Sequence, residues 1–159
     1  HTSAGASSTG AGPIVKSVIQ AAATNPVYGV VNGFLHQYNE GTSLTLSQKH
    51  RTASIATYCL VRPVNHQDGY AVQEDAVGGA VAVADVSNNY DFVVGSGSTV
   101  TGISAMQLDS STVNTTATLS LKLHGFVLES NNTAASANAD CLVTFNNIIL
   151  GSHTGTVGV

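Results

Sequence analysis

Between residues 118 and 129 the chain alternates, with Leu119, Leu121, Leu123 and Val127 falling on one face and Ser120, Lys122 and His124 on the other. Successive side chains of an extended strand point to opposite sides, whereas a helix repeats every 3.6 residues, so this pattern specifies a half-buried antiparallel strand. Gly125 interrupts the run where a bulge or bend belongs. A polar stretch over 129–138 then reads as a loop, and Cys141-Leu142-Val143-Thr144-Phe145 returns as the partner strand before Asn146-Asn147 turns the chain. A long hairpin is expected.

Five more apolar, β-branched runs sit between turn residues: 14–20, 27–34, 55–62 (stopped by Pro63), 70–73, and 90–94 (closed by Gly95-Ser96-Gly97-Ser98). Only 76–86 invites a helix, through its alanines; Gly78-Gly79 and the alternating Val81 and Val83 oppose it, and a short segment of either type is expected. Seven or more short strands at this spacing predict an all-β protein, an antiparallel β-sandwich or jelly-roll-like barrel. Residues 2–12 hold only Thr, Ser, Ala and Gly, too little apolar surface to fold alone. The expected organisation is a flexible N-terminal arm over 1–13, a β-rich domain over 14–150 and a C-terminal tail over 151–159. Cys59 and Cys141 each lie inside an apolar run and read as buried free thiols, which suits a reducing assembly compartment.

Charge narrows the function. Charged residues make up 9% of the chain, against roughly 25% in an ordinary soluble domain. A surface of Ser, Thr, Asn, Gly and Ala is suited to being covered by neighbouring subunits. The net charge of −4, with five Lys and Arg in all, leaves too little positive potential to neutralise a nucleic-acid backbone. The apolar runs fall short of the ~20 residues a membrane helix requires, so no membrane partner is expected, and residues 2–12 read as no signal peptide.

Chemistry is sparse. Gly95-Ser96-Gly97-Ser98-Thr99-Val100 opens like a dinucleotide fingerprint but carries Val100 in place of its third glycine. Gly102-Ile103-Ser104-Ala105-Met106 approaches a nucleophile elbow but ends on Met106. The six histidines show no metal-pair spacing, and Glu74-Asp75 is the only adjacent acidic pair. Two sequons, at Asn114 and Asn131, are weightless in so Ser/Thr/Asn-rich a chain. No catalytic, cofactor-binding or metal residues are therefore expected, and no cofactor.

An ordered set of motifs resembles the small head-decoration, or cement, proteins encoded beside the major capsid gene of many tailed phages. It begins at Asn25-Pro26-Val27-Tyr28-Gly29-Val30 and continues through Gln73-Glu74-Asp75, Gly78-Gly79 and the 95–102 turn. It is strongest in Met106-Gln107-Leu108-Asp109-Ser110-Ser111-Thr112, Thr116-Ala117-Thr118-Leu119, Leu121-Lys122-Leu123 and Gly125-Phe126, and ends with Ala137-Asn138-Ala139 and Leu142-Val143-Thr144-Phe145-Asn146-Asn147. The resemblance covers roughly residues 25–150. Pro63-Val64-Asn65 and Ser130-Asn131-Asn132 depart from the turns associated with such proteins.

The resemblance implies a β-rich, non-enzymatic structural protein of the virion. Assembled in the host cytoplasm, it would bind the outer capsid surface, have the major capsid protein as partner, self-associate as a homotrimer or a dimer, and cement capsomers against internal DNA pressure. Within that reading the sole basic cluster, Lys49-His50-Arg51, is the candidate capsid contact. Two alternatives remain: a glycan- or host-surface-binding β-sandwich of a fibre or adhesin, and an extracellular filament subunit that exchanges a strand with its neighbour.

Overall fold

The computed structural model describes residues 17–34, 50, 58–150 and 155–159. Among these residues eight strands form: β1 (Gly29–Phe34), β2 (Cys59–Pro63), β3 (Gly69–Gln73), β4 (Asn89–Tyr90), β5 (Phe92–Val94), β6 (Met106–Leu108), β7 (Leu121–Phe126) and β8 (Asp140–Phe145). Short 3-10 turns occupy Val83–Asp85 and Ser110–Thr112. A four-stranded sheet runs in the order β3-β8-β7-β4, and β1–β2 and β5–β6 make two-stranded ribbons, all paired antiparallel. The protein is all-β and antiparallel, as its periodicity predicts.

The β7–β8 hairpin organises the rest. Leu121 faces Phe145 and Leu123 faces Val143; the register then slips, so that Gly125 faces Leu142 and Phe126 faces Cys141. The bulge falls at the glycine that interrupts the alternation. Leu121, Leu123, Cys141 and Val143 are buried, while Lys122, His124 and Thr144 lie on the opposite face. Each such leucine contributes about 1.5–3 kcal/mol by leaving water. The connecting loop is stapled by Asn132, whose amide donates to the carbonyls of Val127 and Asp140 (2.8 Å each) and accepts from the Asp140 N–H (2.9 Å).

Tyr90, Phe92 and Leu108 complete the core together with Val27, Val64, Val81 and Ile148. Val27 ties the start of β1 to the chain beyond β8: its N–H donates to the Asn147 carbonyl and its own carbonyl accepts from Ile149 (both 3.0 Å). Tyr70 of β3 meets Phe145 edge-on, with ring centroids 5.0 Å apart.

Five local expectations change. The expected strand over 90–94 is broken by Asp91 into β4 and β5, which belong to different sheets. Asp91 pairs elsewhere: its N–H donates to Thr112 Oγ1 (2.9 Å) and its carbonyl accepts from Asp109 (3.0 Å). Residues 18–20 of the expected 14–20 strand are irregular, and the ambiguous 76–86 segment contains only a 3-10 turn. Ser120, assigned to the solvent face, is buried, because its N–H and hydroxyl both reach Asp91. Cys141 is buried and free as expected; Cys59 is free but only half-buried. The predicted arm over 1–13 lies outside the described residues.

Candidate docking surface

Among the described residues three acidic side chains, Glu74, Asp75 and Asp91, serve as internal acceptors. Glu74 is fully buried, and its two carboxylate oxygens accept the backbone N–H groups of Asn138 (2.7 Å) and Ala76 (3.0 Å). Both of those residues have left-handed backbones, at φ 61° and 56°, so one carboxylate fixes two turns, one at an asparagine suited to that conformation and one at an alanine that is not. Asp91 Oδ1 accepts from the Thr24 N–H (3.0 Å) and from Ser120. Asp75 Oδ1 accepts from Val77 and from both the N–H and hydroxyl of Ser110. Burial works to raise the Asp75 carboxyl, but these hydrogen bonds overcome it and leave the group below its ordinary value. Burial also pushes the Tyr90 phenol upward, with Asp85, Cys141 and Glu74 adding to the shift.

Segment 155–159, legible in the sequence only as a tail, lies against the outer side of the sheet. Asn146 clasps it: its Oδ1 accepts from the Thr156 N–H (2.8 Å) and hydroxyl (3.2 Å), and its Nδ2 donates to the Thr156 carbonyl (3.1 Å). Asn89 Nδ2 donates to that same carbonyl (2.7 Å), and the Gly158 N–H donates to the Thr115 carbonyl (2.9 Å).

Beside the segment, a shallow cleft of about 300 Å³ is lined by His66, Lys122, His124, Thr144, Phe145, Asn146 and Thr156. Lys122 Nζ donates to the Val157 carbonyl (3.0 Å) and to Thr156 Oγ1 (3.4 Å), and His124 Nε2 lies 3.0 Å from Thr144 Oγ1. No carboxylate lines this cleft among the described residues, so it is a positive locus on a chain whose net charge is −4. Of the basic cluster expected to make contact, Lys49 and Arg51 lie outside the described residues, and His50 is half-buried. The alternation of β7 already placed Lys122 and His124 on one face; nothing in the sequence placed His66 with them.

Large apolar side chains protrude from the loop tips: Leu128 is 98% exposed, Val100 82%, Val77 78% and Ile103 69%. These tips are braced. Ser98 Oγ accepts from the N–H groups of Val100 and Thr101, Thr101 Oγ1 accepts from Ile103, and Ser98 and Ile103 close the 95–105 loop through their backbones. Val77 follows a turn held by Asp75, and Leu128 sits in the loop stapled by Asn132. Apolar groups on braced tips lose little conformational entropy when they dock.

Comparison with protein-family models, with curated proteins and with solved structures finds no match.

Proposed function

We propose that this chain is a structural virion protein that docks on the outer surface of a tailed-phage capsid and cements neighbouring capsomers. The observation that carries the reading is the pairing of a nearly uncharged surface with braced, apolar loop tips at Leu128, Val100, Val77 and Ile103. Exposed apolar groups of this kind favour burial against a partner. Several weak footholds on one rigid body add through effective concentration, which suits a clamp bridging capsomers under internal pressure. Self-association as a trimer or dimer multiplies those footholds again. The cleft at Lys122, His124 and His66 supplies a positive foothold for an acidic patch of the shell, in addition to the expected one at Lys49-His50-Arg51.

The test uses DNA-free capsids assembled from the major capsid protein of the genome that encodes this chain. The purified chain should co-sediment with them saturably and raise their melting temperature. A chain that stays in the supernatant at every ratio tested overturns the proposal.

A further inference from the structure

Segment 155–159 is recognised through features that its covalent attachment does not supply. Thr156 is read at its N–H, carbonyl and hydroxyl by Asn146, and again at its carbonyl by Asn89. Lys122 reads the Val157 carbonyl and Thr115 reads the Gly158 N–H. Glycine is required at 155 and fits closely at 158. A Cβ on Gly155 would come within 2.1 Å of the Ala117 carbonyl oxygen and 2.5 Å of Asn146 Nδ2. One on Gly158 would come within 3.0 Å of Asn88 Cα and 3.1 Å of Thr115 Cα.

The segment's own apolar side chains add little, since Val157 is 64% and Val159 88% exposed. Directional bonds and close backbone approach, not greasy burial, hold the segment. The bonds and the close approach at Gly155 therefore match a Gly-Thr-x-Gly segment in the manner of a peptide-recognition site.

We propose that this groove is such a site and that, in the assembled protein, segment 155–159 of a second copy occupies it, each copy giving its segment and receiving its neighbour's. The inference rests on the self-associating reading above and names the contact that achieves it. Every groove in a population of identical chains is the same, so exchange preserves each of these bonds. The balance between own and neighbouring segment is then set by concentration. Copies held side by side on a shell are at the high effective concentrations that favour exchange.

The experiment uses two full-length variants. Gly155→Val drives its own segment out of the groove by the clash with Ala117, leaving an open acceptor with a defective segment. Asn146→Ala leaves an intact segment with a defective groove. Mixed at high micromolar concentration, the pair should form a 1:1 heterodimer by size-exclusion light scattering that neither forms alone. In parallel, the fluorescein-labelled peptide His-Thr-Gly-Thr-Val-Gly-Val should bind the Gly155→Val chain saturably by anisotropy, and the same peptide with valine at its first glycine should bind at least roughly tenfold more weakly.

A mixture that stays unassociated while both variants melt cooperatively overturns the exchange, and failure of the peptide to bind overturns the groove as a recognition site. Should Gly155→Val unfold, Gly155→Ala, whose single added Cβ already meets the Ala117 carbonyl oxygen, serves as the acceptor; should Asn146→Ala unfold, the wild-type chain serves as donor. Capsids enter neither arm, so failure here and failure of capsid co-sedimentation are separately visible.

Discussion

Replacing Asn146 by alanine removes five side-chain hydrogen-bond contacts: donations to Ala117, Leu119 and Thr156, and acceptances from the N–H and hydroxyl of Thr156. One amide nitrogen has two hydrogens for its three acceptors, so about four independent bonds are lost, at roughly 1 kcal/mol net each. Ala117 and Leu119 are only half-buried and recover some water, which brings the expected loss to about 2–4 kcal/mol. For a chain of this length that is a fall in Tm of roughly 5–15 °C.

Asn146→Asp separates the clasp from simple loss of volume. The two side chains have nearly the same shape, and the aspartate keeps both acceptances from Thr156, yet it turns a carboxylate toward three carbonyl oxygens. At neutral pH it should therefore cost more than alanine does. Those carbonyls raise the folded-state value of the new carboxyl above its unfolded one, so the stability of the aspartate variant relative to the alanine variant is greatest at low pH and is lost as pH rises. Urea unfolding of the three proteins at neutral and acidic pH, followed by circular dichroism, makes the comparison. An alanine loss below about 0.5 kcal/mol, or an aspartate variant no less stable than alanine at neutral pH, would refute the reasoning.

Two glycines of β1 should respond oppositely: Gly29→Ala forces a Cβ to within 2.4 Å of the Arg62 carbonyl oxygen and costs about 1–3 kcal/mol, while Gly33→Ala meets nothing within 4 Å and gains up to about 1 kcal/mol, both read as urea midpoints. The Cys141 thiol, pushed up to about 12 from 9.0 by burial first and by Glu74 and Asp140 second, contributes stability that is complete below pH 9.0 and lost as pH climbs from there to about 12. Urea midpoints should fall across that window, more steeply in the wild type than in Cys141→Ala, and thiol-reactive dye should label half-buried Cys59 before Cys141. Leu128→Ser should leave Tm unchanged within error, since nothing covers this side chain, but weaken co-sedimentation with capsids; equal binding by the variant would remove Leu128 from the docking surface.

The sequence by itself determined the all-β class, the β7–β8 hairpin, the bulge at Gly125 and the shared face of Lys122 and His124. Those features rest on a period of two, which is local and survives in a linear string. Strand positions were legible for the same reason: β1 and β3 each fall within two residues of an apolar run bounded by turn residues, and β2 falls on the second half of the 55–62 run, whose residues 55–57 lie outside the described ones.

What the tertiary structure decided are contacts between residues far apart in the chain. Ser120 looks like a surface residue until Asp91, 29 positions away, accepts its hydroxyl. The 90–94 run reads as one strand until Asp91 is drawn to Thr112 and Asp109. Glu74 looks like half of a solvated acidic pair until Asn138, 64 positions on, places its N–H against the carboxylate. The clasp of Asn146 and Asn89 on Thr156 carries no signal in the sequence, because asparagine and threonine are common in this chain and a hydrogen bond has no periodicity. Hydrophobic alternation writes the strands into the sequence, whereas polar groups acquire their roles only when folding removes water and leaves each donor to find its acceptor.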